Sequence, residues 1–425
     1  MENYVEINSC RICGNKNLDV VLDLGMHALA GRFPSKNESD PITAPLVLVR
    51  CNDEGEHNKE NCGLLQLKHA VKSDELYQHN YGYFSGINKT MKDHLKTIVE
   101  EIEKKGILKE GDTVLDIGSN DATMLKFFSS SLKRLGIDPT GEQFRDKYPP
   151  EIILASSLFD AKTFKSISNK KAKAITSIAC FYDLPDPNIF VEDVKECLDE
   201  EGLWVFEQSY MPLMLKTKSI DTICSEHLEY YSIKAIKYLL DKHEMKIINI
   251  DFNNTNGGSF KITAAHKNST HVECSKEIQD CIDIEKSMGL ITSVPYTKFE
   301  MDCHVMKDEL NSFIKEQKAI GKSIYILGAS TKGNTLLQYY GIDNNLITAA
   351  AERNSEKVGR RTPATNIPII SEEEARESNP DFFIVLPWHF KDEIIEREKD
   401  YLNNGGKLIF PLPKFEVIDK NSKNN

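Results

Sequence analysis

Four cysteines within the first 62 residues offer the plainest chemistry. Cys10-Arg-Ile-Cys13 is a knuckle, and Cys51 and Cys62 can complete a second pair. Thiolates hold zinc tetrahedrally, and two of them separated by two residues reach one ion without strain. The stretch between Cys51 and Cys62 is wider than a usual second knuckle, so it must fold back, and His57 is a substitute ligand. A redox pair or incidental thiols are the alternative. Zinc is preferred because residues 1–75 hold little else that could form a core. Four protein ligands leave no open coordination position, so such a metal is structural.

A second motif is Val114-Leu-Asp116-Ile-Gly118-Ser-Asn120-Asp121, an apolar run entering a small polar turn. A dinucleotide fingerprint needs a second glycine so that the backbone can approach a pyrophosphate, and that glycine is absent. S-adenosylmethionine has no phosphate to cradle. It suits an acid at a strand end, a glycine turn, and a carboxylate after the next strand for the ribose hydroxyls. Asp116, Gly118 and Asp138 follow that order, Asp138 lying 22 residues beyond Asp116, and Asn120 sits in the same turn. Just upstream, the cluster from Leu76 to Gly86, with Tyr81, Tyr83 and Ser85, is placed to cap a donor or meet its acceptor. A hydrophobic staple at a helix start explains the same cluster.

The third motif, Asp221 to Ser232, packs Glu226, His227, Tyr230 and Tyr231 into twelve residues. A histidine titrates near neutrality, so His227 is a candidate base, with Glu226 or a phenol holding it or the substrate. Gly257-Gly258-Ser259 can let a substrate approach a backbone turn, although a hairpin explains the glycines equally well. Gly328-Ala-Ser330-Thr-Lys332-Gly-Asn334 follows an apolar run and should open a helix, where amides, hydroxyls and a lysine make an anion site. Arg353, Lys357, Arg360 and Arg361 add positive charge beyond it, or form a solvated basic loop.

The elements that must position these groups can be read from periodicity. Apolar residues from 76 to 104 recur at helical spacing and stop at Gly106. A strand at 113–117, a helix over 122–128 and a strand at 134–138 open a βαβ unit, with further strands near 174–179, 202–207, 246–250 and 259–264. Residues 270–320 are polar and helical in period, and a second βα series starts at Ser323 and ends in a polar tail. The expected fold is therefore α/β in four parts: a zinc-binding domain (1–75), a Rossmann-like donor domain (76–265), a helical connector (266–320) and a C-terminal Rossmann-like domain (321–425). With 53 basic and 65 acidic residues the formal charge is −12, which disfavours nucleic acid as a partner. No apolar run is long enough to span a bilayer and the first residues lack the pattern of a signal peptide, so a cytoplasmic protein with no membrane partner is expected. Its ten cysteines should be thiols or metal ligands.

Taken in order, the cysteine set with Cys62-Gly-Leu-Leu-Gln-Leu, the Asp116 turn, Asp221 to Tyr231, Gly257-Gly258-Ser259 and the Lys332 turn resemble the nucleotide-sugar C-methyltransferases of deoxysugar biosynthesis. That group includes the carbon-3 methyltransferases of mycarose-type branched sugars. The resemblance implies an N-terminal zinc domain, a central S-adenosylmethionine domain and a C-terminal domain that helps hold a nucleotide-diphosphate 4-keto-6-deoxy sugar. It casts Glu226 and His227 as the active-site pair, with His227 removing the proton on carbon 3 so that an enolate attacks the sulfonium methyl. It also implies substrate contacts at Tyr81, Tyr230, Tyr231, Gly258, Ser259, Ser330, Lys332, Asn334 and Arg353, and a monomer or homodimer. Three positions depart from the pattern. A histidine expected after the fourth strand is replaced by Cys180-Phe181-Tyr182-Asp183, which makes Tyr182 the candidate partner of the enolate. Cys224 stands where the group tends to carry tyrosine, and Ala122 replaces a glycine, a change expected to be sterically mild. O- or N-methylation of a small molecule and a non-catalytic, nucleotide-binding zinc scaffold are the competing expectations.

Overall fold

The computed structural model describes residues 3–52, 61–76, 85–86 and 89–422. Three sheets carry the fold, with a two-stranded ribbon, Tyr4–Glu6 against His69–Val71, at the N-terminal edge. The central sheet has seven strands in the order Met245–Asn253, Ser259–His266, Leu198–Ser209, Ala172–Ile178, Thr113–Ile117, Lys133–Ile137, Ile152–Ala155. The last five are mutually parallel and the first two add an antiparallel hairpin. From Thr113–Ile117 the chain winds outward to Lys133–Ile137 and Ile152–Ala155, then returns to Ala172–Ile178 on the other side. Strand order reverses at that point, so the carboxyl ends of Thr113–Ile117 and Ala172–Ile178 flank a ligand crevice.

The C-terminal sheet repeats the device in six strands: Ile369–Ser371, Ala350–Glu352, Ile324–Leu327, Phe382–Val385, Lys407–Phe410, Glu416–Ile418. All pairings are parallel except the last. Its reversal lies between Ile324–Leu327 and Phe382–Val385, whose carboxyl ends run into Gly328-to-Lys332 and Leu386-to-Trp388. The edge strand Glu416–Ile418 replaces the polar tail expected there.

Residues 1–75 contribute more core than their sequence suggested. Leu18–Ala28, Thr43–Cys51 and Leu65–Leu67 form an antiparallel sheet, and its fourth strand, Glu229–Tyr230, comes from the middle of the chain. Leu22, Leu48, Leu65 and Leu67 from this sheet share one apolar core with Phe299 and Leu310 of helix Val294–Ala319 and Ile326 and Phe383 of the C-terminal sheet. That helix buries Tyr296, Phe299, Cys303, Met306, Leu310 and Ile314, a spacing of three and four that faces one side inward. The N-terminal sheet thus leans on a core it does not itself supply.

The helix expected over 122–128 is instead a series of turns. Asn120 and Ala122 both take left-handed backbone conformations, with φ of 47° and 61°, and Asp121 Oδ1 accepts from the Thr123 amide at 3.2 Å. Side-chain capping of that kind competes with helical hydrogen bonding. Ala122 is also less innocent than its size implies, because the left-handed region costs an L-residue about 1 kcal/mol that glycine does not pay.

The four sulfurs of Cys10, Cys13, Cys51 and Cys62 lie within 4.8 Å of one another. The Cys10–Cys62, Cys13–Cys51 and Cys13–Cys62 pairs are 3.4, 3.5 and 3.6 Å apart, far beyond a disulfide bond. A tetrahedron of sulfurs each about 2.3 Å from zinc has edges of about 3.8 Å, so the set fits that ion. Asn15 Nδ2 reaches Cys51 Sγ at 3.4 Å from outside the cluster, and Ile12 and Leu64 wall it from water. Stripping zinc with a strong chelator, or Cys62→Ser, should lower the melting temperature by about 10 °C or more. Elemental analysis should give one zinc per chain; full stability in a metal-free preparation would contradict a structural ion.

Candidate active site

The central crevice holds a cavity of about 370 Å³ lined by Asp116, Gly118, Ser119, Asn120, Asp138 and Thr140, and beyond them by Cys180, Asp183, Glu207 and Leu228. Asp138 closes one end. Its Oδ1 accepts from the Thr140 amide and hydroxyl at 2.6 Å each, and its Oδ2 accepts from the Asn120 amide at 2.8 Å. Oδ2, which accepts only once, keeps a lone pair free for a ligand hydroxyl. Asp116 accepts from the Thr176 hydroxyl at 2.6 Å, and burial pushes its carboxyl up to about 7, helped by the charge of Asp138. At Gly118 φ is 74° and a Cβ would sit 3.1 Å from that of Cys180, so glycine alone lets the turn run this close to the wall. Ser85 and Gly86 lie over the same turn, their amides donating to Asn120 Oδ1 and Asp121 Oδ2 at 3.0 Å each. Tyr81 and Tyr83, like His57, lie outside the described residues.

The Asp221-to-Tyr231 segment reaches this cavity through Leu228. His227 Nδ1 is 2.8 Å from the Thr222 carbonyl, which can only accept, so Nδ1 carries the proton and Nε2 keeps its lone pair. Burial and the nearby Lys332 ammonium push the imidazole down to about 3. The Tyr182 ring packs on the imidazole with centroids 4.3 Å apart. Glu226 Oε1 accepts from the Gly31 amide at 3.1 Å, while its Oε2 is buried without a hydrogen-bond partner among the described residues. Burial holds this carboxyl above its ordinary range.

The C-terminal crevice opens onto the same segment. Trp388 Nε1 donates to Asp221 Oδ2 at 2.9 Å, and its ring reaches within 3.1 Å of where a Cβ on Gly257 would stand. Ser330 caps helix Thr331–Tyr340 by accepting from the Gly333 amide, and the Lys332 charge is felt by Asp221, His227 and buried His389. Asn334 Nδ2 donates to the Ala30 carbonyl at 2.7 Å, tying helix Thr331–Tyr340 to the N-terminal domain, while its Oδ1 is buried with no hydrogen-bond partner among the described residues. Arg353 is exposed and lies 3.9 Å from Glu372. Tyr231 is fully buried and stacks on Phe181, and Tyr230 is buried with its hydroxyl 3.4 Å from the Thr222 carbonyl. Gly258 and Ser259 form the hairpin turn, with the Gly258 carbonyl accepting from the Tyr210 amide and the Ser259 hydroxyl donating to the Thr255 carbonyl. The structure therefore brings Glu226, His227, Tyr182, Ser330 and Lys332 to one seam and leaves Arg353 at the surface.

Several groups at the seam carried no local signal. Gly31 lies in an unremarkable Ala-Gly-Arg stretch, yet a Cβ there would fall 2.6 Å from Glu226 Oε1. Glu207, at a strand end on the cavity wall, binds His94 Nε2 at 2.6 Å and Asn253 Nδ2 at 2.7 Å. Both pairings join residues more than 40 positions apart, which periodicity cannot reveal.

Three family models match the chain in order: one described as "Putative zinc binding domain" over residues 10–77, a methyltransferase domain over 87–250, and a C-methyltransferase C-terminal domain over 254–413. The C-methyltransferase NovU of Streptomyces niveus is 27% identical over 421 residues, covering 98% of both chains. Among solved structures, an S-adenosylmethionine-dependent methyltransferase from Clostridium acetobutylicum aligns with 43% of this chain and 93% of its own at 14% identity and a TM-score of 0.32. Magnesium protoporphyrin IX methyltransferase from Synechocystis PCC 6803 with bound S-adenosylmethionine aligns with 43% of this chain and 86% of its own at 11% identity and a TM-score of 0.32.

Two substitutions separate the halves of the site. Asp138→Ala should weaken S-adenosylmethionine binding by about 10- to 100-fold, the worth of one or two charge-assisted hydrogen bonds, as read by calorimetric titration. Gly31→Ala should leave donor affinity intact while displacing Glu226 and lowering kcat by about 100-fold; parallel loss of both would show that the two halves are one. With a cluster of four cysteines, a ligand crevice at a strand reversal and matches in sequence to a putative zinc-binding domain, a methyltransferase domain and a C-methyltransferase C-terminal domain, the chain is an S-adenosylmethionine-dependent methyltransferase.

Proposed function

We propose that the enzyme methylates carbon 3 of a nucleotide-linked 4-keto-6-deoxy sugar through an enolate. The observation that carries this reading is His227: a half-buried, neutral imidazole whose Nδ1 is committed to a backbone carbonyl and whose Nε2 makes no hydrogen bond among the described residues. Such a nitrogen can take a proton from carbon only if the carbon is already acidified, as it is beside a ketone. The two crevices supply complementary ends. Asp116, Gly118, Asn120 and Asp138 suit the methyl donor, and the helix start at Ser330 with Lys332 suits a diphosphate. Glu226, with one oxygen on the Gly31 amide and the other unpartnered, is placed to take a sugar hydroxyl. The ten unpaired cysteines accord with a reducing, cytoplasmic setting.

S-adenosylmethionine supplies an electrophilic methyl group on sulfur; the chain's own work is to make and hold the nucleophile. His227 takes the proton, and closure of the two crevices on a bridging substrate would exclude water from the enolate. The test combines methyl-labelled donor with 4-keto-6-deoxy sugars on thymidine, cytidine or guanosine diphosphate, in D2O. Label on sugar carbon 3 is expected with donor present, and deuterium uptake at carbon 3 is expected in acceptor incubated without donor; His227→Ala should abolish both while donor binding persists. Label on oxygen or nitrogen without exchange would overturn the reading. Because His227 is protonated only as pH falls through about 3, kcat/KM should show no acid limb near 6.5 from this group.

A further inference from the structure

We propose that Asp183 is a catalytic hydrogen-bond donor, a carboxylic acid held neutral on the cavity wall that donates its proton to the carbonyl oxygen of the acceptor as that oxygen becomes an enolate. This rests on the enolate reading of the same site and adds the group that receives the negative charge. His227 accounts for the proton, but the electron pair it leaves behind travels through the carbon–carbon bond to the ketone oxygen, and something must meet it there. The enolate carbon then forms its bond to the methyl as the bond from methyl to sulfur breaks, the pair returning to sulfur and the ketone being restored.

Asp183 lines the cavity between the donor turn and Leu228. Its Oδ1 is buried and has no hydrogen-bond partner among the described residues, an arrangement that costs about 1–3 kcal/mol unless a ligand completes it. The backbone fixes where it stands. The Tyr182 carbonyl, one residue before it, accepts from the Leu228 amide at 2.7 Å and the Glu229 amide at 3.1 Å, so the Asp183 strand-end loop and the His227 segment are clamped side by side. The Tyr182 ring against the imidazole completes that clamp, which assigns the phenol a packing contact with the base and leaves the next residue facing the cavity.

The surroundings fix the protonation state. The titratable groups whose charge Asp183 shares are Glu226 and Glu229, together with the thiols of Cys180 and Cys224 and the Tyr230 phenol. None of them is a cation. Arg11 lies 3.5 Å from Glu229, and the Lys332 charge acts on Asp221 and His227. Burial and two neighbouring carboxyls therefore hold Asp183 well above the ordinary carboxylate range, so at neutral pH it carries a proton to donate.

Asparagine and alanine distinguish this role from others. In the full-length zinc-loaded enzyme, deuterium uptake at carbon 3 and methyl transfer are measured with 4-keto-6-deoxyglucose on thymidine, cytidine or guanosine diphosphate. Asp183→Ala should slow both by about 100- to 1,000-fold, the usual cost of one oxyanion donor, with donor affinity and melting temperature kept. Asp183→Asn, whose amide donates where the carboxylic acid did, should stay within about tenfold of wild type. If Asp183→Asn is as slow as Asp183→Ala, a neutral donor is ruled out. Should the alanine variant be unstable, Asp183→Leu, which keeps the volume and cannot donate, takes its place beside Asp183→Asn. Wild-type exchange with an unaffected Asp183→Ala would overturn the role of Asp183 while leaving the sugar reading intact.

Discussion

One backbone oxygen holds the active site together. The carbonyl of Tyr182 accepts the amides of both Leu228 and Glu229, and the Leu228 carbonyl in turn accepts from Leu67 in the N-terminal sheet at 2.9 Å. Glu229 and Tyr230 then pair with Gln66 and Leu65 as a fourth strand. The segment bearing Glu226 and His227 is thus stretched between the end of a central parallel strand and a sheet that begins a few residues past Cys62. This explains why a zinc cluster with no open coordination position belongs in an enzyme at all. A zinc ion held by these four cysteines would fix the start of strand Leu65–Leu67, against which Glu229 and Tyr230 are registered, so its contribution would be to geometry rather than to chemistry.

The same segment pays an electrostatic cost. Asp183, Glu226 and Glu229 share a water-poor region in which Arg11 lies 3.5 Å from Glu229. Arg11 is itself buried, donating to the Leu67 carbonyl at 2.6 Å and to Gln66 Oε1 at 3.3 Å. Desolvation of this kind pushes acids toward their neutral forms and imidazoles toward theirs. His227 and His389 are both driven down to about 3 and the carboxyls are driven up, so the seam tends to neutrality on both sides. Beside the Lys332 ammonium, the result is a set of imidazoles and carboxyls biased toward their neutral forms.

The donor crevice could be read in the sequence because its determinants are contiguous: a strand, a turn and an acid at the end of the next strand. The cysteine cluster was legible for a related reason, since thiols in that number have few other uses. The rest was hidden by distance. The N-terminal strands read as polar because their apolar residues alternate and face a core furnished by Val294–Ala319 and the C-terminal sheet, hundreds of residues away. Glu229–Tyr230 is too short to register as a strand until Leu65–Leu67 is beside it. Gly31 and Trp388 have no motif, and their importance comes only from what stands opposite, Glu226 and Asp221. The irregular turns over 122–128 were missed because helical spacing of apolar residues does not report the left-handed backbone at Asn120 and Ala122.

The neutrality of the seam bears on the kind of atom methylated. A hydroxyl or amine acceptor carries its own lone pair, and its activation requires a base but no receiver for charge on a second atom. Abstraction from carbon is different, because the negative charge comes to rest on an oxygen two bonds away from the carbon that loses the proton. A site suited to it needs a base and a separate, preorganised donor, both uncharged beforehand so that neither is neutralised by the other. In the reading proposed above, His227 and Asp183, on either side of the clamp at Tyr182, take those two parts, the imidazole with its open nitrogen and the carboxyl with its unpartnered oxygen. If both were ionised they would form an ion pair and cancel; burial that holds each neutral is what keeps the two functions apart.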